Sequence, residues 1–118
     1  MRAEDLAHVA WEAQRALRVV NFAVCMPKSW SLTRGRNRDR GIEAARMVID
    51  NPTMTPKAIQ AVASKHLKKD GWTFGPLDFN GKTSPQAGAW DDLTEPERQE
   101  WVLFVAIVRA LAAEGADN

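Results

Sequence analysis

Residues 70–93 constrain the fold more than any other part of the chain, because they cannot form a regular helix and lie between two stretches that can. Glycines and prolines interrupt them at Gly71, Gly75, Pro76, Gly81, Pro85 and Gly88. This density of glycine and proline excludes a continuous helix. The same residues carry the large rings of Trp72, Phe74 and Trp90. We expect an irregular aromatic loop that serves either packing or ligand binding.

The helix before this loop has a start signal and a stop signal. Thr55 precedes Pro56; the threonine hydroxyl can accept a hydrogen bond from a free backbone N–H, and proline is tolerated at the first helical position. Gly71 is placed to cap the other end, because glycine readily adopts the left-handed conformation that ends many helices. The pattern predicts a helix from Pro56 to about Lys69.

Thr94 and Glu97 predict the start of the helix after the loop, because they stand three residues apart as in the reciprocal capping box. It should run from Glu95 to about Glu114. Residues 101–113 are nearly all apolar, so this helix has little surface that is suited to water. Such a helix is either central to the core or shared with another subunit.

An amphipathic helix is predicted near the N-terminus. From Glu4 to about Val20, apolar residues recur at helical spacing while most charged residues lie elsewhere on the helix. The run can continue to Cys25, where Pro27 would end it.

The next stretch, residues 27–40, is predicted to be a loop, because it holds Pro, Gly, Ser and Asn with little periodicity. Four alternating arginines lie in it, at Arg34, Arg36, Arg38 and Arg40. They suit a solvated connector better than a phosphate-binding strip. Residues 41–50 then predict a short helix, which Asn51 and Pro52 stop.

Together these patterns predict a mainly α fold, a compact bundle of about four helices with the irregular loop before the last one. The pair Asn80-Gly81 favours a tight turn, so the loop could contain a small β-hairpin. The 118 residues suffice for one hydrophobic core. We therefore expect a single domain over residues 1–118, with its core at about 5–113 and a polar tail at 114–118.

Charge and cysteine content narrow the classes of function. A net charge of +1 gives no general attraction to polyanions, so nucleic-acid binding would need a local patch. Cys25 is the single cysteine and cannot form an internal disulfide, and the first residues lack the apolar core of a signal peptide. No apolar run reaches the roughly 20 residues that cross a bilayer. We expect a cytoplasmic protein without membrane contact.

Catalytic signatures are also missing from the sequence. His8 and His66 lie far apart, and Cys25 and the hydroxyl residues show no nucleophile motif. No His or Cys spacing suits zinc, and the acidic residues of the loop lack the alternation of a calcium site. We expect neither enzyme activity nor a bound metal or cofactor.

Read in order, several motifs resemble a known family. They are Ala7-His8-Val9-Ala10-Trp11, Asn51-Pro52 with Thr55-Pro56, Gly71-Trp72-Thr73-Phe74-Gly75, Lys82-Thr83-Ser84-Pro85 and Trp90-Asp91-Asp92-Leu93. Over about residues 5–113 the chain resembles the RyR domain, a small helical module repeated in ryanodine receptors and found alone in bacterial and bacteriophage proteins. Residues 71–75 carry its most specific signature. The chain departs from the family at Ser84, commonly His there, and at Trp90, commonly Tyr.

The resemblance implies a non-enzymatic regulatory or assembly module, which in bacteria or phages is a candidate for capturing a nucleotide-like ligand. Independently of it, exposed rings could stack on a flat base and basic side chains could meet phosphate. We predict ligand contacts at Trp11, Arg15, Trp72, Phe74, Gly75, Lys82, Trp90 and Asp91.

Other interpretations of the same features stay open. The aromatic loop could simply fold onto the helices as core. The apolar last helix and the loop could form a protein interface, either between two copies of the chain or with a host protein that the chain inhibits. DNA binding through the arginines of residues 34–40 ranks below both, because the overall charge is nearly balanced.

Overall fold

Four α-helices form most of the protein: α1 (Ala3–Phe22), α2 (Gly35–Asp50), α3 (Pro56–Lys69) and α4 (Glu95–Ala116). The computed structural model describes residues 2–22 and 28–116. Single turns of 3₁₀ helix lie at Trp30–Leu32, Pro85–Ala87 and Trp90–Asp92. The prediction of a mainly α bundle of four helices, with an irregular segment before the last one, is confirmed. The predicted end of α1 near Cys25 and Pro27 lies outside the described residues.

The helices meet around one hydrophobic core. α1 packs along α4 and α2, and α4 also contacts α2 and α3. All four helices and the turn at Trp30 contribute side chains that are almost fully buried. These are Leu6, Ala7, Ala10, Trp30, Ala45, Val48, Ile59, Phe104, Val105 and Val108.

The apolar character of α4 follows from its position, because it packs against all three other helices. Phe104, Val105 and Val108 are buried, and Trp101 and Ile107 pack partly against the core. Of the two alternatives that the sequence left open, a central helix explains most of these positions. Within the described residues, no helix is both long and apolar enough to cross a bilayer.

The predicted loop over residues 27–40 is wrong in its second half, where α2 already begins at Gly35. The first turns of α2 hold no apolar stripe, and its N-cap residue Arg34 makes no side-chain capping bond. Tertiary contacts stabilise this end instead. Arg38 pairs with Glu4 of α1 at 2.5 Å, and Gly41 lies so close to Trp30 that a Cβ there would be 2.9 Å from the ring.

Both predicted ends of α3 are confirmed. The Thr55 hydroxyl accepts the N–H three residues further on. At the other end Gly71 has a φ of +91°, its N–H donates to the Lys68 carbonyl, and the N–H of Trp72 donates to the Leu67 carbonyl. These two bonds form the Schellman motif, so the backbone alone closes the helix.

The capping box of α4 also forms as predicted. The backbone N–H of Thr94 donates to Glu97 Oε1 at 2.7 Å, and the N–H of Glu97 donates to Thr94 Oγ1 at 3.4 Å. The helix therefore starts at Glu95 through a local signal.

Residues 84–88, in the second half of the loop, are fixed by a polar clamp from α3. Gln60 and Ser64, one helical turn apart, are both buried. Gln60 Nε2 donates to the carbonyls of Gly88 at 2.9 Å and Gln86 at 3.3 Å, and Ser64 Oγ donates to the Ala87 carbonyl at 3.0 Å. The clamp satisfies backbone oxygens that no regular structure would satisfy.

The predicted hairpin is reduced to isolated bridges. Asp78 and Thr83 exchange two backbone hydrogen bonds of 3.0 Å across four residues, and Thr73 pairs with Thr83 in the parallel sense. No strand forms around these bridges in the described part of the chain. The turn instead places Lys82 in the left-handed conformation, with φ of 54°.

Removing one arm of the polar clamp should destabilise the fold. Ser64→Ala leaves the buried Ala87 carbonyl without its donor, so we expect a loss of about 1–3 kcal/mol in unfolding free energy. Urea denaturation followed by circular dichroism measures it. Ser31→Ala removes an exposed hydroxyl and serves as the matched control. Equal stability of the two variants would contradict the role of the clamp.

A buried carboxyl joins α4 to α1. Glu100 is only 3% exposed, and Arg18 Nε donates to its Oε1 at 2.7 Å. Burial raises the pKa of Glu100 although Arg18 acts in the opposite direction. Desolvation of the charged form therefore outweighs the ion pair at this position.

Glu100→Gln should change the pH dependence of stability. Because the pKa of Glu100 is higher in the folded chain than its ordinary value of 4.5, the folded state binds this proton more tightly. The wild type should therefore lose stability relative to Glu100→Gln as pH rises from 4.5 through the raised pKa. Urea unfolding at a series of pH values measures the difference, with the exposed Glu43→Gln as control. Parallel curves for wild type and Glu100→Gln would refute the argument.

Candidate anion-binding site

The arginines of the α2 N-terminus point in two directions. Residues two positions apart on an α-helix are separated by about 200° around its axis. Arg38 therefore lies on a different side of α2 from Arg36 and Arg40, and the N-cap residue Arg34 lines the same groove as Arg38. The alternating arginines do not form one continuous basic strip.

Arg38 faces the buried ring of Trp30, with its guanidinium carbon 4.7 Å from the ring centroid. His8 lies on this ring too, nearly parallel at 6.2 Å between centroids. A groove of about 440 Å³ opens here, lined also by Arg2 and Arg34. Its charges are largely satisfied from within, as four further bonds show. These are Arg2 to Asp5, Arg38 to Glu4, and Arg34 to the carbonyls of Ser31 and Thr33.

On the other side of α2, Asp70 collects three cations. Arg40 Nη1 donates to its Oδ2 at 2.5 Å, and Arg36 Nη1 donates to its Oδ1 at 3.0 Å. Lys82 Nζ donates to the Asp70 backbone carbonyl at 2.5 Å. The hydrogen bond from Arg40, together with the charges of Arg40, Arg36 and Lys82, lowers the pKa of the Asp70 carboxyl. We call these four residues the Asp70 corner.

The Asp70 corner carries more positive charge than its carboxylate can balance. Three cationic side chains face one carboxylate, which leaves a formal excess of two positive charges. The corner is also open to solvent, since the Arg36 side chain is 71% exposed and Lys82 is exposed. Guanidinium and ammonium groups form charge-assisted hydrogen bonds with phosphate oxygens.

Lys82 reaches this corner through an unusual backbone conformation. A left-handed φ costs a residue with a side chain about 1–2 kcal/mol. The surrounding bonds hold it there, because the Lys82 carbonyl accepts the N–H of Thr73 and the neighbouring Thr83 pairs with Asp78. Strained residues of this kind concentrate at functional sites.

Two aromatic rings lie on the same chain segments as these cations. Trp72 follows Asp70 by two residues, and Phe79 precedes Lys82 by three. Their rings meet edge to face, 5.6 Å apart and at 89°. Phe79 is 51% exposed, so part of its ring is available to a ligand.

Of the predicted ligand contacts, Phe74 and Gly75 pack against other residues of the loop. A Cβ at the buried Gly88 would overlap the Phe74 ring, and one at Gly75 would lie 3.3 Å from Thr83 Cβ. Phe74 nevertheless stays 53% exposed. Its ring therefore covers a glycine on one side and meets solvent on the other.

Trp90 and Asp91 lie in the 3₁₀ turn that precedes α4, and both contact Arg98 of α4. The Arg98 guanidinium stands 5.7 Å from the Trp90 ring centroid and donates to the carbonyls of both residues, at 3.0 and 3.1 Å. The Asp91 residue is exposed.

The remaining two predicted ligand contacts, Trp11 and Arg15, lie on α1. Trp11 packs edge to face on Trp30 at 5.6 Å and donates through Nε1 to the Lys28 carbonyl at 2.9 Å. Arg15 pairs with Glu12 at 2.5 Å. The eight predicted contacts thus lie in separate parts of the structure. Lys82 belongs to the Asp70 corner, and Trp72 follows Asp70 by two residues.

Sequence reasoning missed Asp70 and Phe79 as members of a site, and it assigned Arg36 and Arg40 to a solvated loop. A signal for the two arginines was present, because their four-residue spacing places them on one face of a helix. Recognising it required a helix that starts at Gly35.

A scan against protein-family models, a search of curated proteins and a search of solved structures each return no match. The resemblance to the RyR domain therefore stays a prediction. Within residues 2–22 and 28–116, no group of three His, Cys, Asp or Glu side chains is arranged to hold a metal ion.

The contact between Phe74 and Gly88 can be tested by a double-mutant cycle. Gly88→Ala forces the Phe74 ring away, so we expect a loss of about 1–3 kcal/mol in unfolding free energy. In a Phe74→Ala background the added methyl group meets no ring, and most of that loss should disappear. Thermal and urea unfolding of the four chains measure both. If Gly88→Ala lowers the unfolding free energy equally in both backgrounds, the contact with the Phe74 ring is not the reason why residue 88 must be glycine.

Proposed function

We propose that this chain is a non-enzymatic binding module that captures a small nucleotide-like ligand at the Asp70 corner. The observation that carries the proposal is the uncompensated charge, three cations around one carboxylate at an exposed point of the surface. A phosphoryl group supplies the negative charge that such a corner lacks. The resemblance to the RyR domain favours the same class of ligand by analogy.

The ring of the ligand would rest on the aromatic segment. Phe79 offers an exposed face, and Trp72 supports its ring from the side. Stacking of a base on an aromatic side chain contributes about 1–3 kcal/mol. Phosphate contacts with Arg36 and Lys82, together with stacking, would give a ligand two independent anchors.

Calorimetric titration with a panel of linear and cyclic nucleotides tests the proposal. Adenosine, AMP, ADP and cyclic AMP share one ring and differ in phosphate charge, which separates stacking from charge recognition. We expect AMP and ADP to bind more tightly than adenosine. If no nucleotide of the panel binds below millimolar concentration, the proposal fails.

Single substitutions should locate the site. Lys82→Asn removes the ammonium group while keeping a residue that tolerates the left-handed conformation, and Arg36→Gln removes the most exposed guanidinium of the corner. Each loses a charge-assisted contact, so we expect the Kd for AMP to rise about tenfold or more. Titration of folded variants measures it.

Arg46→Gln is the matched control for these two variants. Arg46 is an exposed cation on the same helix as Arg36 and lies outside the Asp70 corner. Its replacement should leave the Kd unchanged. An equal loss of affinity in Arg46→Gln would indicate a diffuse charge effect instead of a defined site.

A protein-interaction module is the second candidate, favoured by an apolar groove between α1 and α4. The groove measures about 550 Å³, and Leu17, Val102, Leu103 and Ala106 line it. Val20 of α1 is 78% exposed. A homodimer or a host protein that the chain blocks would cover such a surface. A strictly monomeric mass by light scattering, with no protein recovered in pull-downs, would exclude this candidate.

A further inference from the structure

The Asp70 carboxylate engages three guanidinium nitrogens that a phosphoryl group could also use. Its Oδ2 accepts from Arg40, and its Oδ1 accepts from Arg36 at 3.0 Å and from the second nitrogen of Arg40 at 3.4 Å. Both carboxylate oxygens are thus engaged by guanidinium groups, as two oxygens of a phosphate would be. An anion that binds these nitrogens must share them with Asp70 or displace it.

This carboxylate has no part in capping the helix on which it stands. The cap of α3 is made by backbone N–H groups, those of Asp70, Gly71 and Trp72. A negative charge at the C-terminal end of a helix is disfavoured by the helix dipole. The side chain of Asp70 is therefore held by the arginines of α2, and it can leave them without opening the cap.

We infer that Asp70 is an internal competitor for the ligand, which restricts the corner to multiply charged phosphoryl groups such as a terminal phosphate dianion. The inference rests on the proposed function. A tethered carboxylate competes at a high effective concentration, so a monoanion of similar charge gains too little to replace it. A dianion matches the excess of two positive charges and forms the stronger interaction with the same donors.

AMP and cyclic AMP provide the test, because they carry the same base while their phosphates are dianionic and monoanionic at pH well above the second ionisation of a phosphomonoester. In the wild type, AMP should bind at least about tenfold more tightly than cyclic AMP. Asp70→Asn removes the competing charge and nearly preserves shape. We expect it to tighten the binding of both ligands, and that of cyclic AMP more, so that the ratio of their Kd values narrows.

The exposed Asp50→Asn on α2 controls for the loss of one negative charge elsewhere and should leave both Kd values unchanged. Circular dichroism and urea unfolding verify that Asp70→Asn is folded; Asp70→Ser, which leaves room for the ligand, is the second variant. The AMP to cyclic AMP ratio in the wild type depends on neither variant.

The outcomes separate the inference from the proposed function. If the wild type, Asp70→Asn and Asp70→Ser bind no nucleotide of the panel, the proposed function itself is wrong. If the wild type binds AMP and Arg36→Gln weakens it, while folded Asp70 variants bind no more tightly, the site stands and the competitor is refuted. Equal binding of AMP and cyclic AMP by the wild type also overturns the inference.

Discussion

The polar clamp that Gln60 and Ser64 place on residues 84–88 is the interaction on which the rest of the loop depends. Irregular backbone near a core must find partners for its carbonyl groups, because each unsatisfied one costs about 1–3 kcal/mol. The clamp supplies donors from one face of α3. Trp101 of α4 adds a further bond, from its Nε1 to Gln86 Oε1 at 2.7 Å. With this half of the loop fixed on two helices, the other half can carry exposed rings and cations without opening the core.

The parts of the fold that local chemistry determines could be predicted from the sequence. Thr55, Gly71 and the Thr94 to Glu97 pair act within a few residues, and the helix ends lie where these signals place them. The start of α2 could not be predicted in this way. Its first turns are held by Glu4, Trp30 and Asp70, which are distant in sequence, so no local pattern announces a helix there.

The residues of the candidate site differ in the same way: a local sequence pattern indicates some of them, and only tertiary contacts bring the others together. Lys82 and Trp72 stood out because a cation and a ring in a glycine-rich loop are a local pattern. Arg36 and Arg40 could be recognised as site residues only from the fold, because α2 passes the end of α3 and brings both arginines to Asp70. Trp11 and Arg15 lie on α1, apart from the Asp70 corner. Their contacts include Trp30, Lys28 and Glu12, and the prediction that they touch a ligand stays a prediction.

Two carboxyl groups of this protein are paired with arginines, but their pKa values shift in opposite directions because their surroundings differ. Glu100 is buried, and desolvation raises its pKa despite Arg18. Asp70 lies among three cations, and its pKa is lowered. The two arginines on Asp70 also differ, because the Arg40 side chain is 20% exposed and that of Arg36 is 71% exposed. Arg36 and Lys82 can therefore turn toward an incoming anion more freely than Arg40. A ligand at this corner would need to rearrange side chains only, and the helices that carry them could stay in place.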